Sequence, residues 1–245
     1  MNSVCVKTEH LAKRFWVFRE EKTTFRVLNS LIQGKPFRKE FWALKDVSFE
    51  IKRGEKLAIV GKNGSGKTTL LRILTGIYDK TSGDLLIQGT PQALLKLHIG
   101  LKADLPVIDN IYLFGAVHEV YRDALKGKVE EILAVSGLGD LRYMPIKELS
   151  VGQLQRLLLS VFFQVKSDFL IFDEVFASVD QEFTQKCDSY FQDLFSSGKT
   201  VIMISHDVAF LKKFCKTAVW LDGGVVRMQG GIGEVISEYE KSFEK

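Results

Sequence analysis

Eight residues, Gly61-Lys62-Asn63-Gly64-Ser65-Gly66-Lys67-Thr68, have the types and spacing to hold a nucleoside triphosphate. Glycines permit the tight turns that aim successive backbone N–H groups at phosphate oxygens. A helix beginning where the loop ends adds its positive N-terminus. Lys67 brings a point charge to the β- and γ-phosphates, and Thr68 offers a hydroxyl to Mg²⁺. Gly61, Asn63, Gly64, Ser65, Gly66 and Thr69 are expected to complete the phosphate cradle.

Two carboxylates and a histidine stand where apolar runs stop. Phe169-Leu170-Ile171-Phe172 ends at Asp173-Glu174, and Thr200-Val201-Ile202-Met203-Ile204 ends at Ser205-His206-Asp207. An acid closing a buried strand beside a phosphate loop is the expected Mg²⁺ holder, here Asp173. Glu174 is expected to point to the opposite side, where it could orient or activate a water on the γ-phosphate. His206, at the same predicted sheet edge, is the expected γ-phosphate contact.

These residues need a frame. Lys56-Leu57-Ala58-Ile59-Val60 predicts a short buried strand entering the loop, and Thr69-Leu70-Leu71-Arg72-Ile73-Leu74 a helix leaving it. Further strands are predicted at Val4-Cys5-Val6-Lys7, over 42–51 and at Leu85-Leu86-Ile87. Helical periodicity runs over 110–135, 150–165 and 183–195. Ala218-Val219-Trp220-Leu221 and Val225-Val226-Arg227-Met228, joined by glycines, predict a hairpin. Strands alternating with helices mean an α/β fold with a mostly parallel sheet covered on both faces. Such sheets bind ligands beyond the carboxyl ends of their strands, where the runs ending at Val60, Phe172 and Ile204 place polar chemistry.

Composition narrows the function. The 245 residues are 46% hydrophobic, enough for one large core, and a formal charge of +4 is too mild to call for a nucleic-acid partner. Cys5, Cys187 and Cys215 lie far apart, with no metal spacing and no even disulfide set, which points to a reducing compartment. No run of about 18 apolar residues and no apolar signal core occur, so the chain is expected to be soluble and to reach a membrane through a partner.

Between the loop and Asp173 lies Leu149-Ser150-Val151-Gly152-Gln153-Leu154-Gln155-Arg156. It resembles the signature of ATP-binding-cassette ATPases, L-S-G-G-Q-x-Q-R, with Val151 in place of the first glycine. The resemblance covers essentially the whole chain. It implies ATP and Mg²⁺ as cofactors, and a phosphate-loop NTPase core with an antiparallel N-terminal β portion and a helical subdomain. One domain, 1–245, is expected, with a core lobe at 1–92 and 164–245. The helical lobe, 93–163, carries the surface for a membrane partner. In this family two subunits pair head to tail and the signature faces the γ-phosphate held by the other. Ser150, Gly152 and Gln153 are therefore expected to complete the site of a second copy. Asp180, in Ala177-Ser178-Val179-Asp180, matches the acid of the dimer-crossing loop. Phe15 matches the aromatic that stacks on adenine, with Trp16 as the competing choice. Many cassettes carry a glutamine ahead of the helical lobe. Between Leu94 and Asn110 this chain has Lys96, His98, Lys102 and Asp104 but no glutamine.

The run 41–49, beginning Phe41-Trp42-Ala43-Leu44, resembles the polysaccharide-exporter branch, as do Asp173-Glu174-Val175-Phe176 and the stretch 100–112. Residues 20–40 form an extra segment with Phe25, Leu28 and Ile32 on one helical face and Lys35, Arg38 and Lys39 after a glycine. A basic amphipathic element near a membrane suits a pyrophosphate-linked lipid headgroup. The resemblance thus implies the ATPase subunit of a bacterial exporter of a lipid-linked polysaccharide of O-antigen, capsule or teichoic-acid type. Its partners are a second copy and an integral-membrane permease, at the cytoplasmic face of the inner membrane. A carbohydrate-binding β-sandwich, frequent in the branch, is not expected in the 245 residues. Another cargo, a soluble non-transport cassette, and a non-hydrolysing scaffold are the competing readings.

Overall fold

The computed structural model describes residues 3–18, 38–95, 100–176, 181–196 and 198–243. Among the described residues a single nine-stranded sheet runs in the order β4-β1-β2-β9-β8-β3-β7-β6-β5. Its strands are β1 (Val4–Phe18), β2 (Arg38–Lys52), β3 (Lys56–Val60), β4 (Ser82–Ile87), β5 (Gln92–Leu95), β6 (Phe169–Asp173), β7 (Thr200–Ile204), β8 (Thr217–Asp222) and β9 (Val225–Gly231). The half that carries the chemistry, β8-β3-β7-β6-β5, is parallel. Strands β1, β2 and β4 pair antiparallel, as does the hairpin β8-β9.

Alternation along the parallel strands divides two cores. Ala58, Val60, Leu170, Phe172, Val201 and Met203 face one side and pack with the helices built from residues 107–162. Leu57, Ile59, Phe169, Ile171, Ile202 and Ile204 face the other and pack on α1 (Lys67–Leu74) and the β1-β2 ribbon. With both faces covered, these short strands are apolar at nearly every position, as a buried parallel sheet requires. The exceptions stand at strand ends: Lys56, Gln92, Thr200 and Thr217 at amino ends, and Asp173 and Asp222 at carboxyl ends.

Several elements depart from the sequence expectations. The first strand extends well past Lys7, because β1 pairs along its length with β2, with irregularities near His10. The stretch 110–135 is three helices, α2 (Val107–Val117), α3 (Arg122–Lys126) and α4 (Val129–Ser136). Periodicity alone could not see the break: Glu119 takes a left-handed φ of 61°, and the N–H of Val120 turns back to the carbonyl of Gly115. The region 183–195 is likewise split, into α6 (Gln181–Lys186) and α7 (Asp188–Ser196), after the signature helix α5 (Val151–Phe162). Helix α8 (Val208–Phe214) follows β7, and α9 (Ile232–Lys241), not foreseen from the sequence, follows the hairpin. Residues 20–37 of the extra segment, together with Lys96, His98 and Asp180, lie outside the described residues. Arg38 and Lys39 are exposed at the start of β2.

Candidate nucleotide site

The loop of residues 61–68 leaves β3 and runs into α1. A side chain at Gly61, with φ 154°, would place its Cβ 2.1 Å from the carbonyl oxygen of Leu221. At Gly66, the N-cap of α1 with φ 109°, a Cβ would lie 2.7 Å from the Ala43 carbonyl oxygen. The loop is thus pressed against β8 and β2 at points only glycine can occupy. The Ser65 N–H donates to the Lys62 carbonyl (3.1 Å), which closes the turn.

Lys67 is buried, and its Nζ donates to the carbonyls of Gly61 (2.7 Å) and Lys62 (3.2 Å). Burial pushes its pKa down, while the carboxylates of Glu174 and Asp173 oppose the shift. The ammonium is curled onto its own loop, at the position where phosphate oxygens can replace the carbonyls. The Ser65 hydroxyl is buried without a hydrogen-bond partner among the described residues, an orphan that a ligand at the loop would satisfy. Thr68 Oγ1 donates to Asp173 Oδ2 at 3.3 Å, which places two hard oxygen donors side by side. Thr68 also lines the cavity beside the loop, and a hydroxyl next to a carboxylate fits the way Mg²⁺ is held in nucleotide sites.

Glu174 has φ 56°, a strained left-handed conformation for a residue other than glycine. Its N–H donates to the Ile204 carbonyl (2.9 Å), and its Oε1 lies 2.9 Å from His206 Nε2. The ends of β6 and β7 thus bring together the acid and the histidine predicted from separate runs. Glu174 borders a cavity of about 180 Å³ with Gly64, Gly66, Lys67, Thr68 and Thr69, beside the loop expected to hold the γ-phosphate.

Phe41 lines the same cavity, and it is a residue the sequence expectation passed over. It is the cross-strand partner of Phe15. Phe15 itself packs edge-on against Tyr78 (centroids 5.5 Å apart), under the Lys13 ammonium. Trp16 points to the other face of the ribbon, where Arg14 lies over its ring and that of Trp42. Only register could show this, because Phe15 and Phe41 are 26 residues apart and meet by strand pairing.

The signature forms the N-terminus of α5. The Gln153 N–H donates to Ser150 Oγ (3.2 Å), and the Ser150 N–H donates to Gln153 Oε1 (2.9 Å). This reciprocal box satisfies both side chains locally. Val151 follows at the first helical position, 68% exposed. Ser150, Gly152 and Gln153 line neither of the cavities beside the phosphate loop.

A parallel sheet whose strand ends carry a phosphate loop, a threonine–aspartate pair and a glutamate–histidine pair defines a phosphate-loop nucleotide-binding protein. Residues 44–177 match the ABC transporter family, and the chain belongs to it. It is 35% identical to the O-antigen export system ATP-binding protein RfbB of Myxococcus xanthus, over 99% of this chain and 56% of that one. It is 32% identical to the teichoic acids export ATP-binding protein TagH of Staphylococcus epidermidis, over 99% of this chain and 92% of that one. The chain spans about half the length of several of the curated relatives it matches, 43% for TagH of Bacillus anthracis. Among solved structures, a dimeric ATP-binding cassette in a post-hydrolysis state with ADP and Pi superposes with a TM-score of 0.72 at 21% identity, covering 93% of this chain and 98% of that one. An ATP-binding subunit of an ABC transporter superposes with a TM-score of 0.74 at 17% identity, covering 96% and 93%.

Proposed function

We propose that the chain is the ATP-hydrolysing subunit of a bacterial exporter that moves a lipid-linked polysaccharide across the inner membrane. The observation that carries the ATPase reading is the Glu174–His206 pair at 2.9 Å, set beside the loop that bears Lys67. The O-antigen and teichoic-acid exporters among its relatives support the cargo class.

The placement of each residue supports a part for it in this reading. The loop amides and Lys67 hold the β- and γ-phosphates. Thr68 and Asp173 hold Mg²⁺, which neutralises phosphate charge when bound. Glu174 orients the attacking water, and His206 holds the Glu174 carboxylate and contacts the γ-phosphate. Phe15 and Phe41 form the platform for adenine. Ser150, Gly152 and Gln153 sit away from the chain's own phosphate loop, which supports a site completed by the signature and Asp180 of a second copy. Residues 1–92 and 164–245 form the nucleotide lobe, and 93–163 form the helical lobe.

An apolar groove of about 230 Å³ between β5 and α2, lined by Ile77, Leu94, Phe114 and Val117, offers a seat for a cytoplasmic segment of a permease. No helix among the described residues is long and apolar enough to cross a membrane. The export role named for its relatives supports a place at the cytoplasmic face of the inner membrane, held through a permease.

The test is the Glu174→Gln variant in its native host. ATP without turnover should drive the protein into a nucleotide-bound dimer, read by light scattering. The lipid-linked glycan should then accumulate on the cytoplasmic side. A monomer at saturating ATP would overturn the dimer reading, and unchanged glycan export would overturn the cargo.

A further inference from the structure

The end of helix α9 stands beside the phosphate loop. A cavity of about 260 Å³ has Gly61, Lys67 and His206 on one side and Tyr239, Glu240 and Phe243 on the other. Three aromatic rings run toward the loop. Trp220 meets Tyr239 with centroids 5.9 Å apart, and Tyr239 meets Phe243 at 4.9 Å. The Phe243 ring then lies 4.7 Å from the ammonium of Lys62. This ladder starts on the strand that flanks the loop's own strand, since Trp220 of β8 is the register partner of Val60 in β3. It leaves β8 through α9 and returns to the loop at Lys62.

Phe243 is 57% exposed, so burial alone does not explain its place over a cation. Lys62 is the residue of the loop with most to gain from being held. Its carbonyl accepts from Lys67 Nζ (3.2 Å) and from the Ser65 N–H (3.1 Å). The side chain held by the aromatic ring thus belongs to the residue whose carbonyl shapes the turn and parks the phosphate-binding lysine.

We propose that Phe243 is a positioning residue for nucleotide binding, holding the phosphate loop in its binding shape through a cation–π contact with Lys62. Phe243 acts through Lys62. By narrowing the range of the Lys62 backbone it spares the ligand part of the ordering cost of the loop. The docking of α9 is thereby coupled to nucleotide affinity, so whatever loosens this helix weakens ATP binding. The inference rests on the reading of residues 61–68 as the ATP site.

The test compares Phe243→Leu, Phe243→Trp and Lys62→Met in the full chain. The readouts are the Kd for MgADP, kcat and KM for MgATP, and the thermal midpoint. Leucine keeps an apolar side chain but removes the π face. It should raise Kd and KM about two- to fivefold, the range of an exposed cation–π contact, with kcat within about twofold. Tryptophan, the strongest ring for this contact, should restore or tighten binding, a direction that general destabilisation would not produce. Adding Phe243→Leu to Lys62→Met should change Kd no further. An unchanged Kd in Phe243→Leu, or additive effects in the double variant, would overturn the proposal. Failure of the unaltered chain to bind MgADP would instead overturn the ATP reading.

Discussion

At the scale of single residues, most polar side chains of the site already have a partner, and the Ser65 hydroxyl is the exception among the described residues. Lys67 rests on two loop carbonyls, Thr68 on Asp173, and Glu174 against His206. Glu174→Gln keeps the shape of that contact but removes the charge proposed to orient water. Hydrolysis should fall at least about a hundredfold while MgADP affinity stays near that of the unaltered chain. A kinetic assay showing unchanged turnover would remove Glu174 from the mechanism. Base stacking on an aromatic ring contributes about 1–3 kcal/mol, so Phe41→Ala should raise KM for ATP roughly tenfold. Phe15→Ala should do less, because Phe15 packs against Tyr78 whereas Phe41 lines the phosphate-loop cavity. The reverse order would return the base to Phe15. Most of these residues were legible in the sequence, because their chemistry is tied to short motifs. Phe41 was not, since nothing local links it to a ring 26 positions away.

At the scale of elements, the signature is first of all a helix cap. Ser150 and Gln153 close the N-terminus of α5 with reciprocal hydrogen bonds. Ser150→Ala should therefore lower unfolding stability by about 1 kcal/mol, measured by denaturant titration. Ser150→Asp separates the cap from the chemistry. Aspartate caps a helix as well as serine does, so stability should stay within about 0.5 kcal/mol. In the proposed head-to-tail pair its negative charge would face the γ-phosphate held by the second copy, so ATPase activity should collapse. If Ser150→Asp hydrolysed ATP normally, the signature would have no place in the shared site. The elements missed from the sequence share one cause. Breaks at Glu119 and Cys187, and the helix after the hairpin, are set by how segments pack rather than by periodicity.

At the scale of the whole molecule, the parallel sheet joins the chemistry to both cores. His118 marks one seam. Its ring packs edge-on against Phe114 of α2 and Phe162 of α5, and its Nδ1 lies 3.4 Å from Gln92 Oε1 of β5. Burial pushes its pKa down from 6.5 to about 4. The unfolded chain therefore takes up a proton that the folded chain refuses. Stability is fully present above pH 6.5 and is lost as pH falls toward 4, by roughly 1–3 kcal/mol. His118→Gln should flatten that part of the stability–pH curve, and an unchanged slope would assign it to other groups. The sequence by itself determined which residues carry charge, hydroxyl or glycine at the phosphate site, and that apolar strands deliver them to one edge. Those signals are local, because a loop, a cap or a strand end is defined by a few consecutive residues. Tertiary structure alone decided that Glu174 turns to His206, that Phe41 joins Phe15, and that Phe243 reaches Lys62. Each of those contacts depends on strand register or helix docking between distant segments, which no short window of sequence encodes.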